Sequence, residues 1–147
     1  MTGQRLPYYL FHSANAVVSL TGLVYGWMRY FVTPDDPWAV AHHPAQPHIQ
    51  HLHILAAPLL ILVLGWFWVE HAKRHWTSGT REGRLSGVYA WLTILPMILS
   101  GYLIQVSVGE MWRNIWVVVH LVTSALWVVA MATHWVVHRT AKAETRP

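Results

Sequence analysis

The sequence contains no cysteine. The absence of thiols excludes disulfides, thiolate metal sites, iron–sulfur clusters and the C-x-x-C-H attachment of c-type heme. Any metal or cofactor bound by this chain must therefore use histidine, methionine or oxygen ligands. Histidine itself is abundant: the 147 residues include 11 histidines, far more than helix packing requires.

Charged side chains are also scarce, at 11% of the residues, whereas hydrophobic residues make up 54%. Residues 54–69 and 121–133 have no ionisable side chain at all. This composition is typical of membrane proteins and atypical of soluble domains. The net charge of +4 does not indicate a nucleic-acid partner. The basic residues flank the apolar stretches, where the positive-inside rule and the surrounding membrane lipids account for them.

Four apolar stretches predict four transmembrane helices, at about residues 8–32, 47–71, 85–106 and 111–138. Each reaches the ~20 residues needed to cross a ~30 Å hydrocarbon layer. The loops are short, so consecutive helices must run antiparallel. The sequence therefore predicts an all-α fold, an integral membrane four-helix up-down-up-down bundle, in a single domain of residues 1–147. A G-x-x-x-G motif from Gly22 to Gly26 indicates close approach of a helix or a flat cofactor to the first helix.

Lysine and arginine predict the orientation of the chain. They are concentrated in the second loop and in the C-terminal tail, and Arg5 precedes the first helix. The first loop, residues 33–46, has neither and carries Asp35 and Asp36. By the positive-inside rule, both termini are expected to be cytoplasmic. We expect a multi-pass protein of the bacterial inner (cytoplasmic) membrane.

Four histidines are placed where they can hold cofactors inside the membrane. His120 and His134 are fourteen residues apart on the fourth predicted helix, hence on one face and about 21 Å apart along its axis. His12 in the first helix matches the depth of His134, and His53 in the second matches that of His120. An intramembrane histidine is costly unless it is paired or ligated. The depths therefore predict two bis-histidine sites, His12–His134 and His53–His120.

Two of these ligands have competitors. His71 lies eighteen residues, or five full turns, after His53 and is the alternative to His12 as the inner ligand. We favour His12 because His71 is flanked by charged residues, which place it at the edge of the hydrocarbon layer. His51 competes with His53, and only one of the two can face His120, because residues two apart on a helix point about 200° apart.

This histidine pattern resembles the di-heme cytochrome b subunits of nickel–iron hydrogenases and formate dehydrogenases, and bacterial b561-type cytochromes. In that group the last core helix supplies two histidines, matched here by His120 and His134. The first and second helices supply one each, matched by His12 and His53. The resemblance covers the whole chain in topology but only four residues in motif.

The resemblance implies two hemes b and an electron-transfer subunit of a membrane oxidoreductase rather than a stand-alone enzyme. It also implies a partner subunit that exchanges electrons with the chain. The expected kinds of partner are a multiheme cytochrome, an iron–sulfur protein or a hydrogenase-type protein. The quinone pool, menaquinone or ubiquinone, is expected to exchange electrons with the hemes.

Heme propionates are anionic and need cations near the membrane surface. Arg5 precedes His12 by seven residues, and Arg113 precedes His120 by seven. Seven residues are about two helical turns, so each arginine is expected on the face of its histidine. Arg29, near the outer end of the first helix, is a second candidate for the outer heme.

The alternative function is a metal-ion transporter or metal sensor that uses the histidines directly. A transport path needs polar groups near the middle of the membrane. The stretches 54–69 and 121–133 offer no ionisable side chain for such a path. The loop residues His42, His43 and His48 look like a metal cluster, but two prolines interrupt their spacing, and we expect these histidines to be solvated.

The charge distribution predicts that Lys142 lies in the cytoplasm. Alkaline phosphatase fused after Lys142 should be inactive, because it folds only outside the cytoplasm, whereas a fluorescent protein fused there should fluoresce. The matched fusions after Asp36 lie in the first loop, which has no lysine or arginine. There the phosphatase should be active and the fluorescent protein should not fluoresce. Phosphatase activity after Lys142 would reverse the topology and exchange the inner and outer sites.

Overall fold

The computed structural model describes residues 6–36, 38–68, 73, 77–78 and 84–144; for residues 86 and 137–144 the description is of the backbone only. Within these residues the chain forms four α-helices and no β-strand. They are α1 (Leu6–Phe31), α2 (Gln46–Phe67), α3 (Arg84–Val106) and α4 (Glu110–Glu144). The predicted all-α fold and the predicted number of helices are confirmed.

The helix bounds follow local chemistry. α1 ends at Phe31, shortly before Pro34, and a proline disfavours helical conformation in the residue before it. α2 begins with Pro47 in its first turn, where a missing backbone N–H costs no intrahelical hydrogen bond. α4 continues to Glu144, six residues beyond the predicted end. The predicted end of the second helix, at residue 71, falls outside the described residues.

Three of the helices are long and apolar enough to cross a membrane. The qualifying segments are Gln46–Phe67 in α2, Gly87–Val106 in α3 and Glu110–Val136 in α4. α1 has 26 residues, which is sufficient length at about 1.5 Å per residue. It is less apolar because its first half interleaves serine, asparagine and histidine with the hydrophobic residues. The predicted crossing of the membrane by α1 stays a prediction.

The helix contacts divide the chain into two compact units, Met1–Thr77 and Ser78–Pro147. The first unit is a hairpin of α1 and α2, and the second is a hairpin of α3 and α4. The union of all four helices in one bundle and one domain stays a prediction.

The first unit is an antiparallel pair. Phe11, near the start of α1, stacks on Phe67 at the end of α2, with ring centroids 4.6 Å apart and planes 10° from parallel. Near the other end of the pair, Thr21 of α1 contacts His53 of α2. Among the described residues of this unit, the buried hydrophobic ones are Phe11, Met28, Ala56, Leu60 and Leu64.

The second unit is also antiparallel, and small residues are buried in it beside larger ones. Ser100, on α3, is only 1% exposed, and Trp127 on α4 is 4% exposed. Small side chains let two helices approach closely, which is the usual packing mode inside a membrane. The other buried residues of this unit are Ala90, Ile94, Met97 and Ala130.

Replacing Phe11 should destabilise the first unit. Phe11 is 2% exposed, and the Phe11→Ala variant loses the stack with Phe67 and leaves a cavity, so we expect a loss of about 3 kcal/mol in the free energy of unfolding. Phe31→Ala is the matched control, because Phe31 is on the same helix and 79% exposed. Unfolding in detergent measures both variants. Equal losses from the two substitutions would contradict this packing.

Candidate functional site

His53 projects from α2 toward α1 and is fixed there by hydrogen bonds. Its Nδ1 lies 3.1 Å from the carbonyl oxygen of Val18. A carbonyl oxygen only accepts hydrogen bonds, so Nδ1 carries the ring proton and donates it. The hydroxyl oxygen of Thr21 lies 3.2 Å from the same nitrogen, and its own proton is donated to the Val17 carbonyl at 2.7 Å. In this tautomer the lone pair of the neutral ring is on Nε2.

The ring of His53 rests against Gly22. A Cβ added at Gly22 would lie 2.9 Å from Cε1 of His53 and 3.3 Å from its Nδ1. Neither distance leaves room for a methyl group unless the ring moves. The glycine therefore makes the close approach of His53 to α1 possible.

His120 has the same surroundings in the second unit. Its Nδ1 lies 2.9 Å from the carbonyl oxygen of Met97 on α3 and 3.4 Å from the hydroxyl oxygen of Ser100. The Ser100 hydroxyl donates its proton to the Pro96 carbonyl at 2.6 Å. A Cβ added at Gly101 would lie 3.2 Å from Cε1 of His120. His120 is therefore also protonated on Nδ1, with the lone pair on Nε2.

The two units thus contain one local arrangement twice. A hydroxyl residue is followed by a glycine, and the carbonyl three residues before the hydroxyl residue accepts the Nδ1 proton of a histidine on the paired helix. We call this arrangement a histidine niche. The first niche consists of Val18, Thr21 and Gly22, and the second of Met97, Ser100 and Gly101.

His134 also lies against α3. Its Cε1 would be 3.8 Å from a Cβ added at Gly87, which is ordinary contact distance. Gly87 and Gly101 are fourteen residues apart, as are His120 and His134. On two antiparallel helices the equal spacings bring each histidine to one glycine. Both rings are half-buried on the side of α4 that faces α3.

His12 has different surroundings. It is half-buried on α1, and its ring meets the ring of Tyr8 edge-on at a centroid distance of 4.2 Å. The ring of Phe11 is 5.4 Å away, also edge-on. Among the described residues, the ring contacts of His12 are therefore aromatic, and no glycine or hydroxyl contact like that of a niche is seen.

The remaining candidates lie at helix ends or outside the described residues. Arg29 is exposed in the last turn of α1 and donates a hydrogen bond to the loop that follows. Arg113 is exposed in the first turn of α4. His51 is exposed on α2, in contrast to the half-buried His53. Arg5 and His71 are outside the described residues.

The loop histidines form hydrogen bonds within the loop. Nδ1 of His42 lies 3.0 Å from the Val32 carbonyl oxygen, and Nδ1 of His43 accepts the backbone N–H of Ala45 at 3.1 Å. The prediction of solvated side chains fits His48, which is exposed, better than these two half-buried rings. In the described part of the chain, no three histidines or carboxylates come together in a group that could hold a metal ion.

Sequence reasoning missed Thr21, Ser100, Gly87 and Gly101 as site residues. A signal was present in the equal fourteen-residue spacing of two glycines on α3 and two histidines on α4. A second signal was the hydroxyl residue directly before the glycine in Thr21-Gly22 and in Ser100-Gly101. Both patterns have meaning only when the helix pairing is known.

Comparisons with protein-family models, with curated proteins and with solved structures found no match to this chain. The chemistry of the site therefore has to be inferred from its own residues. Two imidazoles, each held by a carbonyl of the neighbouring helix, have a defined tautomer that suits metal ligation through Nε2.

The hydrogen bonds predict the tautomers of individual histidines. In nitrogen-15 NMR spectra of histidine-labelled protein without added cofactor, at a pH well above the ordinary histidine pKa of about 6.5, His53 and His120 should carry their proton on Nδ1. His51 is exposed and should show the average of both tautomers. Assignment uses His53→Gln, His120→Gln and His51→Gln. A proton on Nε2 of His53 or His120 would contradict the niches.

Proposed function

We propose that this chain is a di-heme b-type cytochrome, the membrane subunit of an oxidoreductase, which transfers electrons across the bilayer between a partner redox protein and the quinone pool. The observation that carries the proposal is the state of His53 and His120, each fixed through Nδ1 by a backbone carbonyl with the lone pair on Nε2. Metal-binding histidines use this arrangement, because the outer hydrogen bond fixes the tautomer and strengthens the ligating nitrogen.

The residues of the chain fit heme of the b type. Heme b is held without covalent attachment, as a chain without cysteine requires. Each niche presents one neutral imidazole, which is a ligand for heme iron, and the described residues contain no group of three or more histidine or acidic side chains that would bind a bare metal ion instead. When bound, the heme would supply reversible one-electron transfer.

The spacing along α4 supports two hemes rather than one. His120 and His134 are both half-buried on the side of α4 that faces α3. They are separated by about 21 Å along the helix axis, at about 1.5 Å per residue. Two ligands separated by that distance would carry electrons over about two-thirds of a ~30 Å hydrocarbon layer.

The proposed ligand pairs are His12 with His134 and His53 with His120, chosen from their matching depths in the sequence. The exposed position of His51 favours His53 as the ligand from α2. His71 remains the alternative to His12. The pairing of histidines from different units stays a prediction.

We propose that α1 crosses the membrane together with α2. The two helices contact each other from the Phe11–Phe67 stack to the Thr21–His53 hydrogen bond, which is ten residues or about 15 Å of α1. A helix paired over that distance with an apolar spanning helix lies at the same depth. The expected setting is the bacterial inner membrane, with both termini cytoplasmic.

The arginines at the helix ends suit the heme propionates. Arg29 and Arg113 are both exposed at helix ends, where a guanidinium can form paired hydrogen bonds with a carboxylate. We assign both to the outer heme and Arg5 to the inner one. The partner subunit is expected to be a multiheme cytochrome, an iron–sulfur protein or a hydrogenase-type protein, and the quinone to be menaquinone or ubiquinone.

Heme content tests this proposal. Protein purified from membranes of a heme-sufficient host should contain two hemes b per chain by the pyridine hemochrome assay, extractable into acid acetone because no thioether bond holds them. Reduced spectra should show low-spin, six-coordinate heme. Protein without heme would overturn the proposed function, and one heme per chain would show that one of the proposed pairs is wrong.

Histidine variants locate the ligands in the same assay. His120→Ala and His134→Ala should each lose one heme, about half of the total, because each removes one of the histidines that would hold it. His53→Ala should lose one heme, whereas the matched control His51→Ala, two residues away on the same helix, should keep both. Loss of heme from His71→Ala but not from His12→Ala would assign the inner site to α2.

A further inference from the structure

The two niches differ from ordinary helix contacts because their hydroxyls also contact a histidine that is a proposed iron ligand. Hydroxyls bonded to the carbonyl four residues back are common in helices and need no functional explanation. Thr93 on α3 is an example, since among the described residues it donates to the Tyr89 and Ala90 carbonyls and contacts no histidine. Thr21 and Ser100 make the same bonds and additionally contact Nδ1 of a histidine on the paired helix.

We infer that Thr21-Gly22 and Ser100-Gly101 are positioning residues that set the orientation and the electron-donating strength of His53 and His120 as iron ligands. This inference rests on the proposed function. The two parts of each dipeptide have separate roles. The glycine gives the ring its place, and the hydroxyl shares the Nδ1 proton with the carbonyl.

The role of the glycine follows from its contact with the histidine ring. Because glycine has no side chain, Cε1 of the ring can lie close to the helix backbone. Cε1 lies between the two ring nitrogens, and it is the His53 atom nearest to a Cβ added at Gly22, at 2.9 Å. Pushing Cε1 away from α1 moves Nδ1 off its acceptors and moves Nε2 with it. Gly26 is four residues away on the same helix, and a Cβ there would meet none of the described residues within 4 Å.

The role of the hydroxyl follows from the direction of its hydrogen bonds. The Thr21 hydroxyl donates to Val17, so its oxygen faces Nδ1–H of His53 as an acceptor. An Nδ1–H that donates more strongly makes Nε2 a stronger electron donor. A stronger donor stabilises ferric over ferrous iron. The hydroxyl therefore lowers the reduction potential of the heme that His53 ligates, and Ser100 acts in the same way on His120.

Glycine variants test whether Gly22 and Gly101 position the histidine rings. Gly22→Ala and Gly101→Ala should each lose one of the two hemes or convert it from low-spin to high-spin, because the ring no longer reaches its position. Gly26→Ala makes the same chemical change on the same helix as Gly22→Ala and should keep both hemes. In cofactor-free protein, Gly22→Ala should also change the nitrogen-15 shifts of the His53 ring.

Hydroxyl variants test the electronic role without disturbing the helix. Thr21→Val and Ser100→Ala should keep both hemes and raise the midpoint potential of one heme in a redox titration. The matched control Thr93→Val removes a hydroxyl that bonds to carbonyls of its own helix, the Tyr89 and Ala90 carbonyls, and should leave both potentials unchanged.

The outcomes separate this inference from the proposed function. Wild-type protein without heme would overturn both. Two hemes in the wild type, with Gly22→Ala indistinguishable from Gly26→Ala in heme content and spin state, would overturn the role of the glycine and leave the cytochrome proposal standing. A potential that is unchanged or lowered in both Thr21→Val and Ser100→Ala would overturn the role of the hydroxyl.

Discussion

The hydrogen bond from a histidine Nδ1 to a backbone carbonyl of the paired helix is the interaction on which both hairpins depend. An imidazole between apolar helices loses its hydrogen bonds to water, and an unmatched polar group in such a setting costs roughly 1–3 kcal/mol. The Val18 and Met97 carbonyls supply a partner for His53 and His120. Each carbonyl has a second lone pair, so it can accept the imidazole proton in addition to its bond within the helix.

This bond also explains the small residues beside it. A ring nitrogen can reach the carbonyl of a neighbouring helix only if the helix backbones approach closely. Gly22 and Gly101 provide that approach, and a Cβ at either position would collide with the ring or press on it. The hydroxyls of Thr21 and Ser100 cover the remaining side of the same nitrogen. One requirement, an imidazole satisfied on Nδ1, therefore accounts for two neighbouring side-chain choices in each unit, the glycine and the hydroxyl residue.

The sequence predicted the helices well because long apolar stretches have few alternatives to a helix. The fourteen-residue spacing of His120 and His134 also predicted one common face, since helical periodicity is a local property. The niches could not be predicted from the sequence, because one part of each is a backbone carbonyl. Every residue has such a carbonyl, and no sequence pattern distinguishes the one that accepts the histidine proton. The G-x-x-x-G motif indicated a close approach on α1. A Cβ added at Gly22 would meet His53, whereas one added at Gly26 would meet none of the described residues within 4 Å. Helical periodicity shows which residues share one face of a helix, but it does not show which residues of another helix pack against that face.

The matching intervals on α3 and α4 constrain the length of the chain as well as its composition. Gly87 and Gly101 on α3 lie opposite His134 and His120 on α4, and the spacing is fourteen residues on both helices. One residue inserted or deleted between the two glycines, or between the two histidines, would turn one site by about 100° and shift it by about 1.5 Å relative to the other. Many side chains between these positions can vary in size and chemistry without that effect. In this part of the molecule, the geometry constrains the number of residues more strictly than their identity.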